Sequence, residues 1–195
     1  MRIVLITTAA ALTLALAGCS NQESSNELST DVNLAEDATA NDVLGANDAG
    51  GATAMPSDAA GFATAVAASD LYEIESSKLA LEKGSSAEVK SIAQMLQREH
   101  TKSTSDLKAA ATSSNIAVTP ALDSEKQGLI DELKATTGAD FDKKYLAQQR
   151  TAHQKALMLL QNYGNAGDND ALKSFAQTAQ KMVEGHLDAL NRVPM

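Results

Sequence analysis

The chain has 195 residues, a formal net charge of −9 and a single cysteine. One cysteine excludes a disulfide framework, and the negative balance lacks the basic footprint of a nucleic-acid-binding protein. The length suits one domain plus flanking segments.

The first element is a targeting segment. Arg2 supplies a minimal positive start, and Ile3 to Ala17 is apolar apart from three threonines. This run is nearer a signal h-region than the roughly 20 residues of a stable membrane span. It ends in Leu16-Ala17-Gly18-Cys19. That tetrapeptide resembles the lipobox of bacterial lipoproteins. The resemblance implies cleavage between Gly18 and Cys19, a diacylglycerol thioether on the Cys19 sulfur and acylation of the new amino terminus. Two or more acyl chains hold a protein stably on a membrane where one does not. Ser20 follows the cysteine, which resembles the outer-membrane default of Gram-negative sorting. The expected address is the cell envelope, lipid-anchored, on the outer membrane facing the periplasm.

Residues 19–56 read as a lipidated cysteine followed by an acidic leash. Glu23, Glu27, Asp31, Glu36, Asp37, Asp42 and Asp48 occur with no Lys or Arg between positions 20 and 56. The segment has no sustained period and little to bury, so it is expected to be disordered. The folded domain is expected over 57–195.

That domain reads as all-α. Four long helices and a short connecting one follow from apolar periodicity and end signals. The first spans Ser57, as N-cap, to about Lys83, with Gly84 closing it. The second starts after Ser85-Ser86 and frays through Thr112 to Asn115. A short helix opens at Asp123 and stops at Thr137-Gly138. Asp140 is expected to cap the third long helix, which ends near Tyr163-Gly164. The fourth runs from about Asn169 to Asn191. Each long helix carries one apolar stripe, which makes a four-helix bundle.

The domain also carries an ordered set of short patterns. These are Phe62-x₃-Val66, Glu73-Ile74-Glu75-x₂-Lys78-Leu79-Ala80, Val89-Lys90-x₂-Ala93-x₂-Leu96-x₃-His100-Thr101-Lys102, Phe141-Asp142-x₂-Tyr145-Leu146, Ala152-His153 and His186-Leu187. Together they resemble the bacterial envelope family known as domain of unknown function 4142, grouped with ferritin-like bundles. The resemblance covers roughly Ala60 to Leu190 and implies a ferritin-like four-helix bundle in the envelope. It implies no activity.

All three histidines of the chain, His100, His153 and His186, fall on the inward stripes of three helices, and Glu73 falls on that of the first. Imidazoles and a carboxylate converging in a bundle core are how metal sites of this architecture are built. The Glu-x-x-His motif of di-iron bundles is absent. Gln97-x-x-His100 and Val183-x-x-His186 stand in its place. Met182 lies one turn before His186, and Met95 and Met158 lie five residues from His100 and His153. His with Met suits copper. The candidate metal set is therefore Glu73, His100, His153, His186 and Met182, with copper or iron as the candidate ion. A hydrogen-bonded structural network is the competing account. No catalytic nucleophile, phosphate loop or paired catalytic carboxylate stands out.

Two function classes follow. One is a non-enzymatic tethered helical module that binds an unidentified protein partner or acts in envelope stress. The other is a metal-binding or redox ferritin-like protein.

Overall fold

A computed structural model describes residues 55–194. The readings made for 1–54, the signal segment, the Cys19 anchor and most of the leash, lie outside the described residues. Five helices make up the described chain: α1 (Ala59–Lys83), α2 (Ala87–Thr112), α3 (Ser124–Lys134), α4 (Gly138–Ala166) and α5 (Asp170–Arg192). None of them is long and apolar enough to cross a membrane.

The end signals work locally as side-chain caps. Asp58 accepts from the Gly61 amide, Ser86 from Val89, Asp123 from Lys126 and Asn169 from Leu172. Each satisfies an N–H that the first helical turn leaves without a partner. Two starts differ from expectation. Asp58, not Ser57, caps α1. Helix α4 begins at Gly138 after Thr137, so Asp140 is a first-turn residue and not the cap. Gly138 adopts φ +62°, a conformation that glycine takes without a Cβ penalty, and the chain turns into the helix two residues early. Asp140 then serves the helix through its charge at the positive end. At the other end of α2, Asn115 takes the left-handed conformation at φ 57° and stops the fraying turn.

The core forms two apolar clusters. One gathers Phe62, Val66, Leu107, Ala111, Leu160, Tyr163, Leu172 and Phe175. The other gathers Ala80, Val89, Leu96, Leu133, Phe141, Tyr145, Leu146 and Leu190. These memberships fix the direction of every helix. Helix α1 runs from the first cluster to the second, and α2 returns. Helix α4 starts again at the second cluster, and α5 returns from the first. The segment between α2 and α4, which carries α3, therefore crosses the length of the bundle. Helix α1 packs on α2 and α4, and α5 packs on α4 and α2, so each neighbour pair is antiparallel. This is a four-helix bundle with one long crossover, as ferritin-like folds have.

The turn between α1 and α2 is held by Asp142 of α4. The Asp142 carboxylate accepts from the amides of Ser85 and Ser86 and from the Ser85 hydroxyl, at 2.5–3.2 Å. Gly84 sits under it and pairs with Gly138 through an isolated parallel bridge. A Cβ at Gly84 would lie 2.6 Å from the Ala80 carbonyl oxygen and 3.1 Å from Asp142 Oδ1. Backbone cannot yield as a flexible side chain can. Gly84→Ala is expected to destabilise the domain by about 1–3 kcal/mol through this overpacking. Asp142→Ala, which removes the acceptor of two amides, should cost a similar ~1–3 kcal/mol. Urea unfolding midpoints measure both, and a Gly84→Ala midpoint equal to that of the parent would show that this turn tolerates a side chain.

Candidate metal centre

A belt of polar side chains crosses the bundle between the two apolar clusters. Asp70, Glu73, Ser76, Ser77, His100, Ser103, Gln149, His153 and His186 are all buried there. Each long helix supplies at least one member, because each stripe places a polar residue at the same height.

The three imidazoles meet at the centre. His153 Nε2 lies 3.5 Å from His100 Nε2 and 3.2 Å from His186 Nδ1. One ligand nitrogen from each ring falls within 4.8 Å of the other two. The outward nitrogens are all engaged. His100 Nδ1 donates to Asp70 Oδ1 at 2.8 Å, and Thr104 donates to the other Asp70 oxygen at 3.2 Å. His153 Nδ1 donates to the Gln149 carbonyl at 2.9 Å, with Glu73 Oε1 3.7 Å away. His186 Nε2 donates to Glu99 Oε2 at 2.8 Å.

This pattern fixes the tautomers. A carbonyl oxygen can only accept, so His153 carries its proton on Nδ1. The Asp70 and Glu99 carboxylates hold the protons of His100 and His186 outward in the same way. In the neutral rings the three inward nitrogens therefore face one another as acceptors, and they can share a proton on one ring or hold a metal ion.

The pKa shifts favour a proton on His100 over the other two rings. Burial opposes protonation of His100, but the hydrogen bond and charge of Asp70, with Glu73 and Glu99, overcome it and raise its pKa. Burial holds His153 well below the ordinary imidazole value, and the charges of His100 and His186 push it further down. Burial and His100 also lower His186, against the pull of Glu99. Glu99 is lowered by its bond to His186.

Glu73 and Met182 do not sit where the sequence suggests. Glu73 stands behind His153, on the side of the outer nitrogen, and is not one of the converging donors. Its Oε2 and the Oε1 of Gln149 are buried without a hydrogen-bond partner. Met182 is half-buried and lines a cavity of about 20 Å³ together with Asp70, His100 and Ser103. Met158 is 52 % exposed and takes no part, and Met95 packs against the second apolar cluster. Asp70 and Glu99 are the members that sequence reasoning missed. Asp70 lies one turn from Glu73 on α1, and Glu99 precedes His100 on a position that reads as solvent-facing.

Burial raises the Glu73 pKa to about 7, partly offset by His100 and Gln149. A group whose folded pKa is raised stabilises the fold below its unfolded value and loses that contribution as pH rises through the folded one. The parent, stripped of metal with chelator, should therefore lose stability from the ordinary carboxyl range up through about pH 7 relative to Glu73→Gln. Urea midpoints of the two proteins across that range test this, and parallel curves would contradict a neutral Glu73 in the folded core.

The family model described as "Domain of unknown function (DUF4142)" matches residues 44–193. Comparison with curated proteins and with solved structures gives no match. The matched stretch includes all five helices and every residue of the polar belt, and so the chain belongs to the DUF4142 family.

Proposed function

We propose that the domain binds one divalent first-row transition-metal ion through His100 Nε2, His153 Nε2 and His186 Nδ1. The observation that carries this reading is the convergence of three imidazole nitrogens, within 4.8 Å of one another, whose opposite ring nitrogens are all bonded to oxygen acceptors. Outer-shell acceptors of this kind orient metal-binding histidines and raise their basicity. Two of the nitrogen pairs stand 3.2 and 3.5 Å apart, and all three nitrogens lie within 4.8 Å of one another. Imidazole donors suit zinc, copper, iron and nickel. This supports the metal-binding class over the purely structural module.

Adding Cu²⁺ or Zn²⁺ to the apo protein should raise its melting temperature. The stabilisation should follow RT ln(1 + [L]/Kd), about 2.7 kcal/mol at a hundredfold excess over Kd. His153→Ala should remove the gain, and Asp70→Asn should weaken affinity about 10–100-fold. Because protonated imidazole competes with metal and His100 is raised, affinity should fall as pH drops through and just above the ordinary imidazole value of about 6.5. A melting temperature indifferent to every ion would leave the belt a structural network.

We also propose that the domain works at an envelope membrane, tethered through lipid on Cys19 by the acidic segment that follows. The tetrapeptide Leu16-Ala17-Gly18-Cys19 supports this. Cys19→Ala should move the protein from the membrane fraction to the soluble one, or leave an uncleaved precursor. Unchanged fractionation and gel mobility would remove the anchor.

A further inference from the structure

We propose that the bond between Glu99 and His186 is the door of the metal centre. The ion enters and leaves at this corner, through the groove between α2 and α5, when the His186 ring lets go of Glu99 and swings. This rests on the metal-binding reading above and adds the route by which that site is filled and emptied.

The three imidazoles differ in what holds their outward nitrogens. Asp70, which holds His100, is 3 % exposed, and its second oxygen is tied by Thr104. The carbonyl that holds His153 belongs to Gln149 of the same helix, which is fully buried. The Glu99 side chain is 35 % exposed, although the His186 ring it holds is only 2 % exposed. Water can therefore compete for one of the three outer bonds and not for the other two. A hydrogen bond that water can replace contributes little net stability, whereas breaking a buried one leaves its groups unsatisfied. The His186 corner is the one that opens first.

The groove leads to that corner. Its volume is about 680 Å³, and on α5 its lining includes Ala171, Phe175, Ala179 and Met182. These positions recur every three or four residues, and the next step of the row is His186. On α2 the lining runs through Ala110, Asp106 and Ser103 to Glu99 in the same steps. Both rows start beside the first apolar cluster and finish at the polar belt. The 2.8 Å bond from His186 to Glu99 joins their ends and closes the groove there. The crossover helix α3 lies on the opposite face, against α1 and α4. A cation in the groove meets the Glu99 and Asp106 carboxylates, and Lys102 is already paired with Asp106. Carboxylates lining a cleft raise the local concentration of cations.

The backbone beside the ring points the same way. His186 follows Gly185, inside α5. A Cβ at Gly185 would meet no atom within 4 Å, so packing gives no reason for a glycine there. Glycine in a helix interior weakens the helix relative to alanine. Here it loosens the stretch of α5 that carries the swinging ring.

The test follows Co²⁺, whose visible spectrum reports coordination, as it loads into the full chain freed of metal and as it is released into excess EDTA. Glu99→Ala removes the latch and should load about tenfold faster than the parent, despite losing a carboxylate. Thr178→Trp fills the groove from an exposed position and should slow loading and release by the same factor, because an obstacle on the path changes the barrier and not the end states. Gln161→Trp, at an exposed position of α4 outside the groove, should match the parent. Gly185→Ala should melt at a higher temperature, yet load and release more slowly. Loading no faster in Glu99→Ala, or parental rates in Thr178→Trp, would overturn the proposal. Parental rates in a more stable Gly185→Ala would do so as well, since the ring would then need no backbone freedom to move. Failure of Co²⁺, Zn²⁺ and Cu²⁺ to bind the parent at all is a separate result, and it would bring down the metal reading on which this one stands.

Discussion

The bundle is organised around three buried imidazoles turned toward one point. Hydrophobic burial explains why four amphipathic helices associate, but not why they stop in this register. Close packing of the two apolar clusters contributes to that register. The belt adds a polar requirement, because each histidine needs both its outer acceptor and its inner neighbours. His100 must reach Asp70 of α1, His186 must reach Glu99 of α2, and His153 must reach both rings. These bonds tie α1 to α2, α2 to α5 and α4 to α2 and α5. Register between helices is set where a shift leaves buried polar groups unpaired.

The crossover topology serves the same layer. Helices α2 and α4 run the same way and are joined by a segment that spans the bundle. They occupy opposite corners, with α1 and α5 antiparallel to both. Side chains of facing helices then approach from opposite directions at mid-height, where rings from α2, α4 and α5 close on one centre. The Asp142 clamp on the Ser85-Ser86 turn fixes the axial position of α4 against the α1–α2 hairpin. This contact near the end of the bundle thus acts with the His153 bonds to hold α4 in register.

Much of this was legible from residue patterns. The caps at Ser86, Asp123 and Asn169, the four inward stripes and the three histidines on them are local or periodic signals, and the bundle realises them. What was not legible depends on two elements at once. Asp70 and Glu99 matter because of what another helix brings to them, and neither stands on a predicted stripe. Met182 matched the period of α5, yet the neighbouring Val183 takes the buried position and leaves Met182 half-buried at a wall. Asp140 looked like a cap because acidic residues are good ones. Gly138 and its positive φ moved the helix start ahead of it. Whether α2 and α4 were joined by a short turn or a crossover lies in tertiary packing alone.

The distribution of carboxylates gives the last step. Di-iron bundles spend their inward acids as ligands: a Glu from each of two helices and a Glu-x-x-His from each of the others. Here the acids nearest the rings, Asp70 and Glu99, accept from the outer imidazole nitrogens instead. Glu73, the most buried of them, stands behind His153 and is not among the converging donors. Three imidazole donors and two flanking carboxylates balance one dication but not two, so the metal-binding proposal is one of a single ion held by nitrogen.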